Sequence, residues 1–325
     1  MNSEDIFSRI LICATLFMLA FVFAVFLIVG TGNAKPNDTP DTPAETTPVV
    51  ALPDEPDYIP KSDDGSAVMS DAKLDAEYAL LMDMETGKVV ASRKGDSRIF
   101  PASMTKIMTM IVCCEQISDV SAKVSVSGDA IAAAYIEGAS CAGFVAGEQV
   151  TVLDLLYGVA LPSGADATGT LARYVSGSEA AFVELMNIKA GELGLKNTHF
   201  VNASGLHHKD HYTTPREMAA IMAYAMDMEL CRTILSATAY TSSPTTQHPD
   251  GVIMYSTGFS RMSATKFGTA QIVATKTGYT DEARFCFASY AETDSGGRYV
   301  LITACGNDRY APVYDCKYVY ETFAK

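Results

Sequence analysis

Hydrophobic and polar positions fall into stretches of different character along this chain. Ile10 to Val29 is an unbroken run of twenty apolar or small residues. As a helix rising about 1.5 Å per residue, it would cover roughly 30 Å, one hydrocarbon core. Residues 30–72 turn to Pro, Thr, Asp and Ala without a period that could bury a face, which predicts a disordered linker. Periodicity returns at residue 73. Apolar stretches at 78–83 and 88–92 flank Glu85-Thr86-Gly87 and predict two strands joined by a turn. Further strands are predicted at 270–275, 284–290 and 298–304, the last two joined across Asp294-Ser295-Gly296-Gly297. Between these β regions the pattern predicts helices over 103–117, 151–158, 166–175, 178–193 and 215–226, with Thr214 as N-cap and Pro215 at the first position of the last. Residues 312–324 predict a closing helix.

Strands at both ends with helices between imply an α/β domain whose antiparallel sheet is assembled from the two ends, with flanking helices and an inserted helical subdomain. The predicted organisation is a short cytoplasmic N-terminus (1–9), a transmembrane anchor or signal peptide (10–29), the linker (30–72) and one catalytic domain (73–325). Gly32-Asn33-Ala34 would serve as a cleavage site. The length of the run, and Glu4 and Asp5 in front of a single Arg9, favour a retained anchor with the bulk of the chain outside the cell membrane.

The formal net charge of -14 is mostly local. Residues 34–77 hold three Lys against eleven Asp and Glu, a balance of -8. No Lys/Arg stripe interleaved with aromatics is present, which excludes a nucleic-acid partner. Among eight Cys, Cys13 lies in the apolar run and no two are spaced as CxxC, so buried thiols are expected rather than a zinc ribbon or a dithiol site. His207, His208 and His211 raise a zinc-dependent alternative. They fall in a loop with no Glu or Asp spaced to complete a site, and neither metal nor cofactor is expected.

Nucleophilic chemistry is the better lead. Ser-x-x-Lys on a helix places a hydroxyl and an amine on one face. The pattern occurs at Ser70/Lys73, Ser103/Lys106 and Ser263/Lys266. Only the second precedes an apolar stripe (Met104, Ile107, Met108, Ile111, Val112) that would desolvate the lysine. It also stands 60 residues before Ser163-Gly164-Ala165, itself 113 residues before Lys276-Thr277-Gly278. This order of Ser-x-x-Lys, Ser-containing triplet and Lys-Thr-Gly is the signature of penicillin-binding proteins and class A β-lactamases.

With Leu161-Pro162-Ser163-Gly164, Phe200-Val201-Asn202-Ala203-Ser204-Gly205-Leu206, His211-Tyr212-Thr213-Thr214 and Lys276-Thr277-Gly278-Tyr279-Thr280-Asp281, the chain resembles the low-molecular-mass D-alanyl-D-alanine carboxypeptidases from about Tyr78 onward. The resemblance implies a β-lactamase/transpeptidase-like fold and trimming of peptidoglycan stem peptides, with β-lactams as covalent inhibitors. Ser103 would be the nucleophile and Lys106 its base, kept partly neutral by burial and by the charge of Lys276. Ser163 would relay a proton, Lys276 and Thr277 would hold the substrate carboxylate, and the amides of Ser103 and Tyr279, the latter just past Gly278, would form the oxyanion hole. Because little chain follows the closing helix, the N-terminal helix is expected to be the sole membrane attachment.

Two positions depart from the family pattern. Ala165 replaces an Asn, a loss that would cost about 10²-fold or more in rate if that group polarises the substrate. Asp166, next to it, would point roughly 100° away on a helix. Arg284 replaces a small residue and reads either as an extra cation near the carboxylate pocket or as an exposed strand residue. Arg309 is the nearest match to the Arg that relatives use for the carboxylate. Two rival functions remain open: a serine β-lactamase, with Glu184-Leu185-Met186-Asn187 as its deacylation motif, and a wall-binding or β-lactam-sensing module impaired by Ala165.

Overall fold

In the computed structural model the described residues are 57–325 except 62, 64 and 70–72. The expected anchor at 10–29, the segment before it, most of the linker and Ser70 lie outside them. Among the described residues no helix is long and apolar enough to cross a membrane.

The elements run β1 (Ala67–Val68), β2 (Tyr78–Asp83), β3 (Lys88–Arg93), a 3-10 turn (Ala102–Thr105), α1 (Lys106–Gln116), β4 (Lys123–Ser125), α2 (Gly128–Ile136), β5 (Gln149–Thr151), α3 (Val152–Ala160), α4 (Ala165–Ser176), α5 (Glu179–Glu192), α6 (Pro215–Asp227), α7 (Glu229–Leu235), β6 (Ala239–Thr241), β7 (Ile253–Tyr255), a second 3-10 turn (Phe259–Arg261), β8 (Lys266–Phe267), β9 (Ala270–Thr280), β10 (Arg284–Thr293), β11 (Arg298–Gly306) and α8 (Ala311–Phe323). Seven strands form one sheet in the order β1-β3-β2-β11-β10-β9-β8. The two ends of the domain meet where β2 pairs antiparallel with β11, Leu81 opposite Leu301. Only the marginal β1 is parallel to its neighbour.

Alternation along the strands separates two cores. Leu80, Met82, Val300 and Ile302 join a large core shared with α1, α3, α4, α5 and α6. Ala79, Leu81 and Leu301 face the other way onto Cys316, Val319 and Tyr320 of α8. The 3-10 turn at Ala102–Thr105 and α1 pack into the large core. Every residue of α1 from Lys106 to Cys113 is buried, so this helix runs through the core rather than lying with one face upon it. Its polar Thr109 is accommodated by donating to the Ala203 carbonyl at 2.6 Å.

The predicted strands and helices are present, with two changes that matter. β9 runs on to Thr280, so Lys276-Thr277-Gly278 lies within the strand rather than after it, paired with Cys286, Phe287 and Ala288 of β10. α2 was not predicted because Gly128-Asp129-Ala130-Ile131-Ala132-Ala133-Ala134 offers little contrast between faces; only Ala130 and Ala134 are buried. The strands β4 to β7 are three residues each, too short to show alternation.

Candidate active site

Ser103 sits on the 3-10 turn leading into α1, behind Ala102, whose φ of 47° is left-handed. Two glycines permit this turn. A Cβ on Gly278 of β9 would lie 2.9 Å from the Pro101 carbonyl and 3.2 Å from the Ser103 amide, and one on Gly205 would overlap the Ala102 carbonyl. The strand and the 202–206 loop therefore pack directly against the backbone at Pro101 to Ser103. Asn202 shapes that loop, accepting from the Gly205 amide at 2.7 Å and donating to the Leu206 carbonyl at 2.9 Å.

Three residues along from Ser103, Lys106 Nζ donates to Ser103 Oγ at 3.1 Å and to the Ser204 carbonyl at 2.7 Å. Lys106 is buried, and burial pushes its ammonium down to about 7, against the opposing pull of the Asp166 and Glu179 carboxylates. Desolvation is the main cause of this lowering. The charge of Lys276, invoked from sequence, is not among the causes resolved for Lys106.

Facing this pair, Ser163 has a left-handed backbone (φ 64°), and its Oγ accepts from Lys276 Nζ at 2.8 Å. Lys276 also donates to the Thr277 carbonyl at 3.1 Å. Burial, then the charges of Lys106 and Arg261, hold Lys276 well below the usual lysine range. The Thr277 hydroxyl lies 2.7 Å from that of Thr257, in the loop after β7.

Ser103, Lys106, Ser163, Thr277, Gly278 and Tyr279 all line one cleft of about 620 Å³. Lys276 reaches it from within, through Ser163. The exposed Tyr279 ring packs on Phe285, and its hydroxyl donates to Asp281 at 2.9 Å. Polar wall residues not found from sequence include Ser140, Thr257 and Arg261. They come from loops and a turn with no motif of their own.

Arg309 is not among the residues lining the cleft. It lines an adjoining cavity of about 440 Å³ that Arg261 also lines, and its carbonyl accepts from Arg261 Nη1 at 3.4 Å. Arg284 hydrogen-bonds Asn307 at the strand ends, which fits the exposed-strand reading and not an extra cation in the cleft. Asp166 turns into the protein, where Oδ1 accepts from the Ala142 amide at 2.8 Å, and burial raises its carboxyl.

The histidines do not assemble a zinc site. His211 Nδ1 accepts from the Val201 amide at 3.2 Å, so Nε2 carries the proton and donates to Thr105 Oγ1 at 2.8 Å. Burial pushes His211 down to about 3, and both ring nitrogens are engaged. His207 packs edge-on against Phe100. Among the described residues no three or more His, Cys, Asp or Glu are grouped to hold a metal ion. Glu184 is exposed on α5, and Asn187 bonds both main-chain groups of Phe200, so this stretch is ordinary helix surface.

A serine with a desolvated lysine at hydrogen-bond distance, a second Ser-Lys pair across the cleft, and a sheet closed from both ends define the serine DD-peptidase class of the β-lactamase/transpeptidase fold. The Peptidase_S11 family model, D-alanyl-D-alanine carboxypeptidase, matches residues 65–305. The chain belongs to this family. It is 34% identical over 228 residues to the D-alanyl-D-alanine carboxypeptidase DacF of Bacillus subtilis, covering 67% of this chain and 54% of that protein. It is 34% identical over 229 residues to the D-alanyl-D-alanine carboxypeptidase of Streptomyces sp. strain K15, covering 68% of this chain and 77% of that one. The crystal structure of the Streptomyces K15 DD-transpeptidase superposes with a TM-score of 0.68 at 28% identity, over 78% of this chain and 98% of that one. The chain thus spans about half the length of the Bacillus relative, 54%.

Proposed function

We propose that this protein is a serine-type D-Ala-D-Ala carboxypeptidase that trims the terminal D-Ala from peptidoglycan stem pentapeptides. The observation that carries it is the 3.1 Å hydrogen bond between Ser103 and a lysine whose ammonium burial has brought down to about 7. At neutral pH a large share of Lys106 is unprotonated and able to take the Ser103 proton as Oγ attacks the carbonyl between the two D-Ala residues. The amides of Ser103 and Tyr279 receive the oxyanion. Because Ser163 Oγ accepts from Lys276, it can pass its own proton to the leaving D-Ala amine and take in its place the one Lys106 removed from Ser103, which restores Lys106 as an unprotonated amine. Water then attacks the acyl-enzyme, with Lys106 again as base, and frees the tetrapeptide.

The terminal carboxylate of the substrate supplies the counter-charge that buried Lys276 lacks. Its arrival raises the lysine's proton affinity, so the site charges when it is filled. Thr277 and Arg261 complete that pocket, with Arg309 behind them. A β-lactam enters the same route and stays as the acyl-enzyme. The twenty-residue apolar run at 10–29 supports a single-pass anchor that holds the domain on the outer side of the cell membrane, tethered through the linker.

D-Ala release from a pentapeptide by wild type and by Ser103→Ala, with labelling of both by a fluorescent penicillin, tests the assignment. Release and labelling that vanish together in the variant are expected. Release that survives in Ser103→Ala would overturn it. Ala165 favours a second reading, a module that acylates without turning over; labelling without any D-Ala release would establish that one instead.

A further inference from the structure

The third position of the middle triplet is Ala165, which brings no hydrogen-bonding side chain to the cleft. The segment Glu137-Gly138-Ala139-Ser140, which follows α2, lines the same cleft as Ser103, Lys106 and Ser163. It is fastened to the triplet at two points. The Ala165 amide donates to the Ser140 carbonyl at 2.7 Å, and the Ala142 amide donates to the buried Asp166 Oδ1 at 2.8 Å. Between these bonds a Cβ on Gly164 would come within 2.7 Å of the Ala142 nitrogen, so segment and triplet are in direct main-chain contact.

Glu137 and Ser140 are the two members of this segment with polar side chains. Glu137 closes the end of α2 and carries a negative charge, unsuited to greeting an anionic peptide. Ser140 is the residue bonded to Ala165. Its side chain is exposed, and its hydroxyl makes no hydrogen bond among the described residues.

We propose that Ser140 supplies, from this neighbouring loop, the polar contact that position 165 lacks, its hydroxyl donating to the acyl-side backbone carbonyl of the bound peptide. The inference rests on the carboxypeptidase reading. Asp166 is then a positioning residue, holding Ala142 and with it the main chain at Ser140. Because the segment is already pinned, little ordering cost falls on substrate binding. A neutral hydrogen bond of this kind is worth up to about tenfold in rate.

The test compares kcat/KM for D-Ala release from a pentapeptide by the full chain and by Ser140→Ala, Ser140→Thr, Glu137→Gln and Ser140→Ala combined with Ala165→Asn. A short thioester lacking the acyl-side amide serves as second substrate. Expected are a loss of about tenfold in Ser140→Ala on the pentapeptide alone, near wild-type rates in Ser140→Thr and Glu137→Gln, and recovery in the double variant. Ser140→Ala within about twofold of wild type on the pentapeptide, or an equal loss on both substrates, would overturn the role while leaving the carboxypeptidase reading intact. Wild type that releases no D-Ala would overturn that reading and this inference with it.

Discussion

Lys276 Nζ donates to Ser163 Oγ at 2.8 Å although the two residues stand 113 positions apart, and both are buried. A strand residue and a loop residue thereby form a second Ser-Lys pair opposite Ser103 and Lys106. Among the described residues neither lysine has a carboxylate at ion-pair distance, so the terminal carboxylate of the proposed peptide substrate would be the first close counter-charge to reach Lys276.

Activity should follow the protonation of Lys106. With its ammonium brought down to about 7 by burial, kcat/KM for D-Ala release should fall tenfold per unit as pH drops below that value. Lys106→Arg, which cannot deprotonate, should lose at least about 10³-fold at every pH. A pH–rate profile with an acid limb near pH 4 in place of pH 7 would count against Lys106 as base.

The same burial has a stability cost. Between about 7 and the ordinary lysine value of 10.5, the unfolded chain binds a proton that folded Lys106 does not, so this residue's contribution rises with pH through that window. Lys106→Met should unfold at higher denaturant near pH 7, by about 1–2 kcal/mol, while losing activity. Urea melts at pH 7 and pH 10 would show the difference narrowing at the higher pH.

Gly278→Ala should damage the nucleophile more than the fold. Its Cβ would come within 3.2 Å of the Ser103 amide, one of the two proposed oxyanion donors, and 2.9 Å of the Pro101 carbonyl. Acylation by a fluorescent penicillin should slow by about 10² or more, with a stability loss on the order of 1–3 kcal/mol. Normal labelling kinetics would mean that β9 yields more readily than this packing implies.

His211 should govern acid stability. Its folded value is pushed from 6.5 to about 3, so its contribution is complete above pH 6.5 and is lost as pH falls through that window, where the unfolded chain gains the proton first. His211→Asn should lower stability at pH 7 yet flatten the decline between pH 6.5 and pH 4. Parallel decline in wild type and variant, followed by denaturant melts, would show that other groups control the acid limb.

Much of this was legible before any coordinates. Ser103 stood out from Ser70 and Ser263 because an apolar helix followed it, and the same burial brings the Lys106 ammonium down to about 7. Local pattern could not show that α1 is buried on all sides, since that depends on what the sheet and five other helices bring to it. Nor could it reveal Thr257, Arg261 or Ser140, which reach the cleft through contacts between distant loops. Asp166 was expected to point away from the cleft, and it does. Its role in fastening the loop before Phe144 comes from a bond to an amide 24 positions earlier.

The pairing of Leu81 with Leu301 sets an order of events in the life of the molecule. A chain emerging N-terminus first presents the β2–β3 hairpin early, with an unpaired edge that must wait for β11, far along the chain. Ser103 and Lys106 are made long before the strand that carries Lys276 arrives to complete their cleft. The proposed acylating activity therefore arises only once β9 and β11 have both joined the sheet, and a chain cut off after β10 should be a target for proteolysis rather than a weak enzyme.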